Sequence, residues 1–113
     1  MTGQSVTQNV LLVVSVPVAL EDSIVDWLLA QSERIGFSSA HIRGHGSREG
    51  RLSLAEQVAG HQRRVQFQVV APLETARAAT AALKKDFAGS DLFYWIVPVL
   101  EAGHVTPGPA EPA

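Results

Sequence analysis

Cysteine is absent from all 113 residues. That single absence removes disulfides, thiol catalysis and thiolate metal ligation, and nothing points to an oxidising compartment. Charge is sparse: charged residues make up 18% and the net charge is -2. Nucleic acid recognition needs a basic stripe, and no overall basic balance supplies one. Long hydrophobic runs are missing too. Runs such as Val10 to Val14 are far too short to span a bilayer. Met1 to Gln8 is polar and lacks the basic flank and apolar stretch of a signal peptide, so a cytoplasmic, non-embedded chain is expected. Catalytic signatures are likewise lacking. There is no Gly-x-Ser-x-Gly elbow, no Walker loop and no His-Glu-x-x-His. Asp26 with His41, or Glu56 with His61, can be drawn as acid–base pairs, but neither spacing demands it, and the chain is read as a non-enzyme.

What is present is apolar. Hydrophobic residues reach 46%, a high share for one small domain. Part of that surplus is expected to be buried against another subunit, because large apolar patches are rare on monomers. Residues 1–8 read as a flexible N-terminus and 9–105 as a single domain. Residues 106–113, with three of the six prolines, read as a disordered tail.

Asn9 to Val16 is a β-branched run without polar alternation, which predicts a strand buried on both faces, ended by Pro17. From Ala19 to about Ser32, Leu20, Ile24, Trp27 and Leu28 repeat with a helical period. Glu21 and Asp22 favour its start and Gly36 its stop. Phe37 to Gly46 reads as a second strand, followed by a long connection over 47–61. Arg64 to Val70 alternates, with Val65, Phe67 and Val69 on one face and Gln66 and Gln68 on the other. Pro72 opens a second helix running to about Ala88, with Leu73, Ala76, Thr80, Leu83 and Phe87 on one side and Gly89 beyond its end. Asp91 to Leu100 is the fourth strand, and Pro98 places it at an edge or a bulge.

The order is β-α-β-β-α-β. It predicts an α+β ferredoxin-like βαββαβ sandwich, an antiparallel sheet with both helices on one face. The other face would carry aromatics such as Phe93 and Trp95 into water, which self-association relieves.

Two segments carry a resemblance. Gly44-His45-Gly46-Ser47-Arg48-Glu49-Gly50 resembles the Gly-aromatic-Gly-Arg-x-x-Gly opening of the T-loop in the PII signalling proteins, with His45 in the aromatic place and the arginine displaced by one. Phe93 to Glu101 resembles the Phe-x-Ile-Pro-Val-Glu stretch of their fourth strand. Together with Leu54 to Gly60, these features are similar to an uncharacterised PII-like subfamily that accompanies heavy-metal efflux systems of the resistance-nodulation-division class. The resemblance covers about residues 9 to 105. It implies a homotrimer, a small ligand held in clefts between subunits, and a mobile T-loop-like connection, 47–61, that signals to a membrane transporter. No cofactor is obligatory. The ligand classes it implies are an adenine nucleotide, a small anion or a divalent metal.

The departures narrow this. The loop before the fourth strand, Ala88-Gly89-Ser90-Asp91, has one glycine and no lysine, and Glu101 to His104 holds no arginine. A triphosphate needs several N–H groups or cations, so tight ATP binding is disfavoured. The expected cleft comprises Arg43, Gly44, His45, Gly46 and Arg48, with Glu101 and His104 from a neighbour. Gly44 and Gly46 either admit a ligand close to the backbone or supply positive φ where strand becomes loop. Arg63 and Arg64 are further cations for an anion. His41, His45, His61 and His104 are the soft ligands; His41 and His45 lie roughly 13 Å apart on one strand. A metal site would therefore use His45 with His104, or two subunits, the arrangement of an alternative reading as a CutA-like metal-tolerance protein.

Overall fold

The computed structural model describes residues 8–31, 36–45 and 61–106. Several expectations fall outside these: the flexible reading of 1–7, the loop segment 46–60 with Gly46 and Arg48, and the tail from 107 onward. The first helix, expected to run to about Ser32, ends earlier, at Leu29.

Four strands and two helices follow in the order β1 (Asn9–Pro17), α1 (Glu21–Leu29), β2 (Phe37–Gly44), β3 (Gln62–Pro72), α2 (Leu73–Asp86) and β4 (Phe93–Pro98). The sheet order is β2-β3-β1-β4, antiparallel throughout. This is the predicted ferredoxin-like α+β arrangement.

β1 lies between β3 and β4, and nearly all of it is buried. Val10, Leu12, Val14 and Val16 share a core with Val65, Phe67, Val69 and Ala71 of β3, Ile24 of α1, and Ala76 and Leu83 of α2. The even positions of β1 and the odd positions of β3 thus face the helices, as alternation along a pleated strand requires. β3 is longer than the predicted Arg64 to Val70 because it is paired on both sides: Asn9 opposes Pro72 in one ladder and Gly44 opposes Gln62 in the other.

Pro17 ends β1 and leads into a short 3-10 turn, Val18–Leu20, so α1 starts at Glu21 with its two acids in the first turn. The helix tightens at its end, where Gln31 N–H donates to the Leu28 carbonyl at 3.3 Å. Pro72 precedes α2 with φ -58°, an angle its ring already fixes, and Lys84 and Lys85 fall in the last turn. The two helices meet where Trp27 Nε1 donates to Asp86 Oδ2 at 3.0 Å and the Trp27 ring sits edge-on to Phe87.

β4 is shorter than the predicted Asp91 to Leu100. Asp91 has a left-handed φ of 62°, which breaks the extended run before Phe93. Pro98 closes β4 on the sheet edge, where its missing N–H disturbs no inner ladder. Tyr94 and Ile96, opposite Val14 and Leu12, face the helices. Phe93, Trp95 and Val97 therefore face away from the helices, at 65%, 38% and 39% exposure. Val70 of β3 lies on the same side, 45% exposed. Among the described residues no helix is long and apolar enough to cross a membrane.

Candidate functional site

The ends of β2 and β3 meet at the mouth of the 46–60 segment. Their ladder sets His41 opposite Val65, Arg43 opposite Arg63, and Gly44 opposite Gln62. Continued by one residue, it brings His45 against His61, whose ring centres are 5.8 Å apart. Val65 faces the helices, so period-two alternation puts His41, Arg43, His45, His61 and Arg63 on that same side. An open hollow of about 410 Å³ lies here, lined by His41, Ile42, Arg43, His61, Arg63 and Arg64. His41 Nε2 lies 3.2 Å from Glu21 Oε1, tying β2 to the start of α1. Its partner is therefore Glu21 rather than Asp26.

Arg64 behaves differently from its neighbour. The sequence offers it as a cleft cation, but its register places it on the opposite face, only 7% exposed. There its Nε donates to Ser15 Oγ at 2.6 Å, and Nη1 to Gln62 Oε1 at 2.7 Å and Asp91 Oδ2 at 3.2 Å. Nη2 donates to the carbonyls of Ser15 at 2.8 Å and Asp91 at 2.7 Å. Every N–H that a guanidinium offers is matched by one of these bonds, so none is left for an anion. The side chain spans β3, β1 and the approach to β4.

This explains Gly44. A Cβ at that position would stand 2.7 Å from Arg64 Cδ. Gly44 is not among the residues with positive φ, which among the described glycines is confined to Gly89. Neither backbone freedom nor ligand approach is needed to account for it; the glycine leaves room for the arginine stem.

The remaining predicted residues lie elsewhere. Glu101 and His104 follow β4, exposed. Gly44 and Pro98 sit at opposite ends of the sheet, separated along the strands by about 30 Å. One chain therefore does not join its own His45 to His104 through the sheet. Among the described residues no group of three His, Cys, Asp or Glu is placed to hold a metal ion. The sequence reading offered Arg63 as a cation and His61 as a soft ligand, but did not place His61 beside His45. The signal was the pairing across β2 and β3, which a within-strand count from His41 to His45 does not contain.

A second hollow, of about 350 Å³, lies where α2 turns into β4, lined by Thr80, Leu83, Lys84, Phe87, Gly89 and Tyr94 among others. Lys84 Nζ stands 5.3 Å above the Tyr94 ring there.

An antiparallel β2-β3-β1-β4 sheet with two helices on one face is a ferredoxin-like fold similar to that of PII-like proteins. The family model "Protein of unknown function (DUF3240)" matches residues 6–106, and the chain belongs to that family. A DUF3240 family protein from Shewanella baltica has a similar crystal structure, with 27% identity and a TM-score of 0.71 over 89% of this chain and 100% of that one. A protein described as PII-like signalling, from Thermus thermophilus, shares the fold at 18% identity and TM-score 0.56, covering 82% of this chain and 88% of its own. A Bacillus cereus protein related to NIF3 shares it at 14% identity and TM-score 0.63, over 91% of this chain but 28% of that one. No curated protein matches the chain.

Proposed function

We propose that the chain is a homotrimeric PII-like regulator: it binds a small ligand in clefts between subunits and signals through the segment joining β2 and β3 to a membrane transport system. On this reading it catalyses nothing. The observation that carries it is the face of the sheet opposite the helices, where Phe93, Trp95 and Val97 stand exposed along β4 and Val70 stands exposed on β3, one strand beyond β1. Phe93 and Trp95 pack ring to ring at 5.8 Å, forming a ready-made apolar ridge. Each large apolar side chain fully buried contributes roughly 1.5–3 kcal/mol, so covering this ridge with sister copies is strongly favoured. A threefold arrangement sets the mouth of one subunit beside Glu101 to His104 of the next, which a single chain does not accomplish.

Light scattering on the purified chain at micromolar concentration tests the assembly. Three times the chain mass is expected. A single-chain mass at that concentration overturns the reading, because no cleft between subunits then exists.

A further inference from the structure

The two helices cover the sheet unequally. α1 has nine residues and α2 fourteen, so they run about 13.5 Å and about 21 Å. α1 sets out just past Pro17, whereas α2 sets out from Pro72, which pairs with Asn9 at the other end of β1. From Pro17 to Leu12 the strand already spans about 17 Å. α1 therefore stops short of the floor that Leu12 and Val69, partners in the ladder, form with Ala71. A hollow of about 160 Å³ lies there, between the helices. Trp27 and Leu28 bound it on the α1 side, and Thr75, Ala76 and Ala79 on the α2 side. Its floor belongs to the core: Leu12, Val69, Ala71 and Ala76 are each at most 4% exposed. Ala71, Ala76 and Ala79 bring one methyl each where longer side chains would fill the space. Trp27 is a fixed wall, since its ring meets Phe87 edge-on and its Nε1 donates to Asp86 Oδ2 at 3.0 Å.

Water, a partner protein and a small molecule compete for this space. Water needs about two to four polar partners, and the side chains of the floor offer none. At the rim, the Gln31 amide nitrogen is already engaged, donating to the Trp27 carbonyl at 2.7 Å. A stable protein partner covers roughly 800 Å² of each surface. α2 turns charged just beyond the hollow, where Glu74 and Arg77 stand 4.0 Å apart, so the apolar surface does not extend that far. A single small apolar molecule matches the dimensions, because an apolar cavity of about 150 Å³ suffices to hold benzene. A charged molecule of the same size would exchange its hydration for aliphatic and aromatic walls, which is unfavourable.

We propose that this hollow binds a small uncharged aromatic molecule, a single ring of benzene size, between Trp27 and Ala79 over the floor of Leu12 and Val69. The site goes beyond the regulatory reading and does not depend on how copies assemble. The apolar ridge of Phe93 and Trp95 lies on the other face of the sheet, so covering it leaves the helix side open.

An NMR titration of the full chain with benzene, read at methyl and indole signals, tests this, with benzoate in parallel. Signals of Leu12, Trp27, Val69 and Ala79 are expected to shift together and saturate with benzene. Benzoate should bind at least about tenfold more weakly, because its charge would have to be desolvated. Ala79→Leu fills the space with the chain's own atoms. It should weaken benzene binding at least about tenfold and melt at or above the temperature of the unaltered chain, so lost binding cannot be ascribed to unfolding. Non-saturating shifts, shifts centred instead on Leu83 and Tyr94 of the hollow beside Lys84, equal affinity for benzoate, or equal benzene affinity in Ala79→Leu would each overturn the proposal. So would a lowered melting temperature in Ala79→Leu, which would show that the space is already filled. The mass of the same samples is read separately: a single-chain mass sinks the trimer and leaves the benzene result standing.

Discussion

At the scale of single residues, the neighbours Arg63 and Arg64 show how much alternation decides. They are chemically identical, yet one faces the open mouth and the other is sealed under the opposite face. Removing Arg64 would take a donor from the Ser15 and Asp91 carbonyls and from three side-chain acceptors, Ser15 Oγ, Gln62 Oε1 and Asp91 Oδ2. Arg64→Ala is therefore expected to lose roughly 2–3 kcal/mol, discounted because Asp91 is partly solvated. Gly44→Ala, which pushes a methyl into the Arg64 stem, should lose about 1–3 kcal/mol. Urea unfolding measures both, and an unchanged midpoint in either variant would contradict the clamp. The parity was present in the sequence: Val65, Phe67 and Val69 mark the core face, so Arg63 shares it and Arg64 does not. What parity alone does not give is the reach of a side chain across two strands, nor the left-handed Asp91 that receives it. His61 was hidden for a related reason. Its nearness to His45 follows from register between two strands, which the composition of neither contains.

Among the elements, those with a single clean period were legible to within a residue or two. β3 alternates and α2 repeats with one apolar side, so both emerged with their core residues correct. β4 has no alternation, since Phe93, Tyr94, Trp95 and Ile96 are all large and apolar, and only pairing with β1 assigns Tyr94 inward and Trp95 outward. α1 is short, nine residues, and its hold on the rest depends on contacts rather than on helix propensity. Trp27 provides one of these, reaching α2 through both ring and N–H. Trp27→Phe should keep the ring contact and lose less than about 1 kcal/mol, because the hydrogen bond is exposed. Trp27→Ala should lose roughly 2–3 kcal/mol from a half-buried site. Equal melting temperatures for the two variants would show that the ring does not bind the helices together.

Across the whole molecule, the sheet divides an apolar interior from an apolar exterior. The helix side is closed by α1 and α2, whereas the opposite side ends in Phe93, Trp95 and Val97. An excess of hydrophobic residues in a small chain was readable from composition, and the strand order determined where the excess would surface. The test belongs at this scale. Trp95→Lys introduces a charge in the middle of the ridge without entering the core, so scattering should report a fall to the single-chain mass while far-ultraviolet circular dichroism stays unchanged. An intact assembly in this variant would mean that subunits meet elsewhere.

The arginine dipeptide of β3 has one more consequence. Because consecutive strand residues point oppositely, Arg63 at the mouth and the Arg64 clamp on Ser15 and Asp91 are one peptide bond apart on opposite faces of the sheet. The same dipeptide therefore borders both the helix-side mouth and the approach to the strand that bears the aromatic ridge.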